Sequence, residues 1–123
     1  MDIPAWVRQL FHSIDARDAS AFAAYLAEDG TFRYGSQPAV VGNAAVREHV
    51  AAFFSGLNGL SHELTGFWWG AARDTCFVQG EVTYHLPNAT QVTLPFLNLF
   101  HMRDMAIVDY LVYTDPTPLF QPA

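Results

Sequence analysis

Asp109 stands in the middle of MAIVDYLVYTD, a stretch that otherwise reads as an apolar β-strand. A carboxylate at a strand centre is costly to bury unless it is paired, hydrogen-bonded or protonated, so it is either turned to solvent or kept for chemistry. Residues two apart on a strand share a face, which groups Asp109 with Ile107, Leu111 and Tyr113. Such apolar company would raise its pKa and let it shuttle a proton at an activated carbon or a carbonyl oxygen near neutral pH. An aldol-type ring closure or an enolisation needs that step, and it requires no metal and no organic cofactor. The plainer alternative is an Asp on the outer face or in a dimer contact, paired with an Arg or hydrogen-bonded to a neighbouring strand.

Asn98 in LPFLNLF is the second candidate. A lone amide among apolar strand residues must be hydrogen-bonded if buried, and its N–H could polarise a substrate carbonyl in the manner of an oxyanion hole. The alternative is a core amide that satisfies a backbone group. His85 in EVTYHLP could take a second acid/base role with Asp109, or be a solvated residue beside a turn. A one-residue slip in the Pro87 to Thr90 hairpin decides whether Tyr84 or His85 faces the interior. Tyr34 could donate a phenolic hydrogen bond or serve as a core tyrosine. His62 opens a strand and His49 falls on the polar side of a helix, so both read as ordinary, as do His12 and His101.

The elements that must position these groups follow from periodicity. Trp6, Val7, Leu10, Phe11 and Ile14 recur at helical spacing behind Pro4. Asp18 can cap a second short helix carrying Phe22, Tyr25 and Leu26, which Asp29-Gly30 would end. TFRYGS alternates as a short strand. Asn43 is placed to cap a third helix with Val46, Val50, Phe53, Phe54 and Leu57 inward, ended by Gly56 and Gly59. The remainder reads as long antiparallel strands over roughly 60–71, 74–86, 91–103 and 106–114, with turns at 72–74, 87–90 and 103–104. Helix, helix, strand, helix and four strands make an α+β chain, a curved sheet with helices on one face.

The chain has 123 residues, 51% hydrophobic and 15% aromatic, which suits one domain with a substantial core. Ten Phe, five Tyr and three Trp exceed what a core of this size needs and suggest a lined cavity or a subunit interface. The net charge of −6, with six Lys and Arg scattered singly, offers no basic stripe for nucleic acid. The lone Cys76 forms no internal disulfide, and no CxxC or HExxH spacing suggests a metal site. No apolar run approaches the ~20 residues of a membrane span, and the N-terminal segment lacks the pattern of a secretory leader. A cytoplasmic protein is expected.

The segments AYLAEDGTFRYG, VVGNAAVREHVAAFF, VTYHLPNATQVTLPFLNLFHMRD and IVDYLVYTDPTPLF resemble the SnoaL-like polyketide cyclases of the nuclear transport factor 2-like superfamily. The resemblance covers nearly the whole chain and implies a cone of three N-terminal helices packed in a strongly curved, mostly antiparallel sheet, open at one end onto an apolar pocket and usually dimeric. It departs from the ketosteroid isomerases, with Leu10, Tyr34 and Asn98 where their Tyr and two Asp would stand. It also lacks the mid-strand Arg-x-Asp of the limonene-epoxide hydrolases. The resemblance implies a last-strand Asp acid/base at Asp109. It points to a lyase, isomerase or cyclase acting on a small or medium hydrophobic carbonyl compound, or to a non-catalytic binding or dimerisation module. An epoxide or ester hydrolase is disfavoured for want of that Arg and of a GxSxG elbow. The expected site is Asp109, Asn98 and His85 as catalytic groups, with Trp6, Leu10, Phe32, Tyr34, Trp68, Phe96, Leu111 and Tyr113 around the substrate. Trp68 and Trp69 must point to opposite sides of their strand, and an outward Trp is best explained by a homodimer through the outer sheet face.

Overall fold

The computed structural model describes residues 2–120. Val7, Leu10, Phe11 and Ile14 recur every three or four residues, and they form the buried stripe of helix α1, Ala5–Asp15. Asp18 caps α2, Ala19–Ala23, by accepting from the Ala21 N–H at 3.0 Å. Helix α2 stops sooner than its sequence suggests. Tyr25 lies beyond it, and Leu26 already opens strand β1, Leu26–Tyr34, so Asp29-Gly30 sits inside a strand rather than ending a helix. Gly30 serves close approach there: a methyl group would meet the carbonyl oxygens of Ala27 and Ile107 at 2.9 and 3.0 Å.

A two-residue strand β2, Val40–Val41, which the sequence did not announce, pairs with β1 before helix α3, Asn43–Ser55. Gly42, at φ 93°, is the residue that caps α3; Asn43 is the first helical residue and its side chain caps nothing. Val46, Val50, Phe54 and the following Leu57 are buried, whereas Phe53 sits at the rim, 39% exposed. The long strands fall where alternation places them: β3 Gly59–Trp69, β4 Thr75–His85, β5 Gln91–Arg103 and β6 Ala106–Tyr113. A two-residue turn with Asp104 and Met105 both at positive φ joins the last pair, one residue beyond the expected position. A 3-10 turn, Thr117–Phe120, follows.

The six strands form one sheet in the order β2-β1-β6-β5-β4-β3. All neighbours are antiparallel except β1 and β6, which run parallel, and the sheet is curved and open rather than closed. The helices cover its concave face. Register aligns Phe32, Tyr110, Phe100, Cys76 and Trp69 in one inward row, and Tyr34, Val112, Asn98, Val78 and Phe67 in the next. Among the described residues no helix is long and apolar enough to cross a membrane.

Candidate functional site

Where the inward rows run out from under α1, the sheet, α2 and α3 enclose a cavity of about 380 Å³, at the small end of what ligand sites occupy. Its walls are apolar and largely aromatic: Phe22 from α2, Phe32 from β1, Val50, Phe53 and Phe54 from α3, and Leu60, Val82 and Phe96 from the sheet. Pro116, Leu119 and Phe120 of the tail close one side. Polar atoms enter at few points, and no Lys, Arg, Asp or Glu stands among the lining residues.

His62 is the strongest of these points. It alternates with Leu60 and Leu64 on β3, so strand parity turns it inward, between Phe11 at 5.0 Å and Phe96 at 5.5 Å between ring centroids. Its Nδ1 meets Oδ1 of Asp15, the last residue of α1, at 2.5 Å, and its backbone N–H donates to Asp15 Oδ2 at 3.1 Å. A carboxylate can only accept, so Nδ1–H is the donor of this bond and Nε2 is the ring nitrogen left for another partner.

Two further polar groups converge on the cavity. The hydroxyls of Tyr34 and Tyr84 share one hydrogen bond, 3.2 Å across, so one of the two protons remains free to donate. Burial pushes both phenols up from their ordinary pKa, which keeps them protonated donors across the physiological range. On β5, Asn98 is 3% exposed and donates from Nδ2 to the Tyr110 hydroxyl at 3.3 Å, while its Oδ1 is buried without a partner. Tyr110 is fully packed, against Phe22, Phe32 and Phe100, and burial raises its pKa as well.

The cavity, its curved sheet and the helices above it have counterparts among known proteins. The family model for the SnoaL-like domain matches residues 7–110. The chain belongs to the SnoaL-like family. Among solved structures, this SnoaL-like chain is similar to a nuclear transport factor 2-like protein of unknown function from Burkholderia pseudomallei, with TM-score 0.82, 16% identity and coverage of 93% and 91% of the two chains. It is also similar to a candidate SnoaL-like polyketide cyclase from Jannaschia sp. CCS1, with TM-score 0.80, 18% identity and 98% and 94% coverage. A third is a candidate polyketide cyclase from Xanthomonas campestris, with TM-score 0.80, 20% identity and 92% and 90% coverage. At such identities the structures speak for the fold alone. No curated protein matches the chain.

Within the SnoaL-like fold the expected site residues divide by face. Phe32, Tyr34, Phe96 and Asn98 line the cavity. Leu10 and Trp6 are inward but serve the core: Leu10 is fully buried, and Trp6 packs against Phe67, Trp69 and Phe100 away from the cavity. Asp109, His85, Trp68, Leu111 and Tyr113 stand on the opposite face of the sheet. Asp109 pairs in register with Thr31 and His101 and accepts from the Thr31 hydroxyl at 2.7 Å. The expected grouping of Ile107 with Asp109 fails because β6 carries a bulge: Met102 pairs with Ile107 and His101 with Asp109, so Val108 is the extra residue and the two neighbours fall on opposite faces. The β4 register places Tyr84 inward opposite Leu60, and His85 outward opposite Gly59. Trp69 is the inward tryptophan. Trp68, 43% exposed, folds its ring over Gly66 on the outside.

His62 and His49, which read as ordinary in the sequence, stand at the cavity wall, as does Tyr84, left open there against His85; Asp15, the partner of His62, was passed over. The alternation Leu60, His62, Leu64 was the available signal for His62. Asp15 carried none, because its partner lies 47 residues away.

Proposed function

We propose that this SnoaL-like protein is a cofactor-independent lyase, isomerase or cyclase that moves a proton on a small, neutral, hydrophobic carbonyl compound, with His62 as the acid/base. The observation that carries this reading is the Asp15–His62 pair opening onto an apolar cavity. In that arrangement Nε2 of His62 takes a proton from the carbon next to a carbonyl, and Asp15 stabilises the imidazolium. The free hydroxyl proton of the Tyr34–Tyr84 pair supports the enolate oxygen, and His62 then returns the proton at a new position or to a leaving hydroxyl. Asp109, on the far face of the sheet, takes no part.

The test needs no knowledge of the natural substrate. Exchange of the α-protons of 2-tetralone in deuterated buffer, followed by proton NMR, should be saturable and should fall about a hundredfold or more in His62→Gln. Equal rates in the two proteins would remove His62 from the role. Tight binding without any exchange would leave a non-catalytic ligand-binding module.

A further inference from the structure

We infer that the cavity selects a ligand bearing a hydroxyl group, an enol or a phenol, which donates its proton to Oδ1 of Asn98. The inference rests on the reading of the cavity as the substrate site and adds the class of compound it takes. Asn98 is anchored from one side only. Its Nδ2 donates to the Tyr110 hydroxyl at 3.3 Å, and Tyr110 is held in place by the rings of Phe22, Phe32 and Phe100 at 5.2, 5.3 and 4.5 Å. The prong left over is the acceptor, 3% exposed as a residue and without a partner, in a cavity whose other walls are mostly hydrocarbon. A buried acceptor of this kind is matched by a donor, and a ligand that supplies one gains an interaction that an O-alkylated analogue cannot make.

The surroundings narrow the donor further. No lining residue carries a permanent charge, so an ammonium donor would leave its charge uncompensated in an apolar enclosure and a carboxylate would find no fixed counter-charge. A neutral hydroxyl fits. The aromatic walls suit a flat ring system of modest size. A hydroxyl on an unsaturated ring, as in an enolised diketone or a phenol, therefore satisfies the Asn98 acceptor, the apolar walls and the absence of charge together. This role reverses the one its strand position first suggests, since Asn98 would accept from the ligand rather than polarise a carbonyl with its N–H.

Calorimetric titration of the full chain at pH 7 with 2-naphthol and 2-methoxynaphthalene, which differ only in the donor proton, tests the inference. The naphthol should bind about tenfold more tightly. Asn98→Leu should bring the two within about twofold of each other by weakening the naphthol alone. Tyr110→Phe, which keeps the amide but removes the group that orients it, should also reduce the preference, and it serves as the test should the leucine variant not fold. Equal affinities, or a preference for the methyl ether, in the wild-type protein would overturn the assignment of Oδ1 while leaving the cavity as a ligand site. Binding of neither compound would overturn both. A retained naphthol preference with no isotope exchange would uphold this inference and defeat only the catalytic proposal.

Discussion

Replacing Asn98 by leucine should make the protein more stable, although it deletes a hydrogen-bonded residue from the interior. The unpartnered Oδ1 carries a desolvation cost of about 1–3 kcal/mol in the folded state, which leucine removes. Against that stands the buried Tyr110 hydroxyl, which loses the Nδ2 bond of 3.3 Å and is left unsatisfied at a cost of about 1–3 kcal/mol. The leucine methyls would lie beside Val78 and Val112, the cross-strand neighbours of position 98, and bring back about 1 kcal/mol of apolar contact. The two desolvation terms offset each other, and the net gain is about 1 kcal/mol. With an unfolding entropy of about 2.1 cal/mol/K per residue, it raises the melting temperature by about 4 °C. Calorimetric melting and urea unfolding at pH 7 measure it directly. A loss of about 1 kcal/mol or more would refute the reasoning, because it would mean that Oδ1 is satisfied in the folded protein and that the amide is structural. A residue whose removal stabilises the fold while abolishing ligand selectivity is the signature of a position kept for function.

Asp109→Asn should leave the α-proton exchange rate unchanged within about twofold, in contrast to His62→Gln, whereas Asp109→Ala should lower stability by about 1–2 kcal/mol by deleting the acceptor of the Thr31 hydroxyl; a large loss of exchange in Asp109→Asn would reinstate it in the chemistry. Burial raises the folded-state pKa of Tyr34, Tyr84 and Tyr110 above the ordinary value near 10, so their neutral forms contribute stability that is complete below pH 10 and declines as the pH rises beyond it. Phenolate absorbance from these three should therefore appear only with alkaline unfolding, and a rise equivalent to more than two of the five tyrosines with the fold intact would contradict their burial. Cys76, fully buried with its thiol pushed up to about 12, should resist alkylation at pH 8 until urea is added. We further propose that the outer sheet face pairs with a second copy of the chain. Trp68, Leu97 and Tyr113 are 43%, 39% and 52% exposed there, beside Leu99, Leu111 and Phe77 of the same face. Light scattering at micromolar concentration should give the mass of two chains, and that of one chain after Trp68→Ser and Leu97→Ser are combined.

The long strands and the first and third helices were legible because each carries one unambiguous period, and Asp18 was legible as a cap because its function is local. What failed was parity. On β6 both faces are apolar, with Tyr110 and Val112 inside and Leu111 and Tyr113 outside, so alternation cannot say which face is the interior, and the bulge at Val108 breaks the link to Ile107. The same ambiguity exchanged Trp68 with Trp69 and set His85 beside Asp109 as a candidate, when both lie on the outer face. Asn98 was found as the lone amide in an apolar run rather than by parity, since Leu97 and Leu99 make the outer face of β5 apolar as well. His62 was missed because a pair formed between the end of α1 and β3 leaves no trace in either segment alone.

The parallel joint between β1 and β6 bears on how the chain reaches this structure. β6 lies between β1 and β5, and Thr31 meets Asp109 across 78 residues of sequence, so the N-terminal strand has no long partner until the last strand has been made. The β3–β4–β5 meander can form from neighbouring hairpins, but β1 and β2 join it only after a loop of that length is closed, a step that costs entropy before any contact repays it. During synthesis the inward faces of Phe22, Phe32 and α3 therefore wait uncovered, and the strand that ends the wait also brings Tyr110 and Val112, part of the cavity wall. Completion of the fold and completion of the ligand site are then one late event, fastened on the outer side of the sheet by the Thr31–Asp109 hydrogen bond.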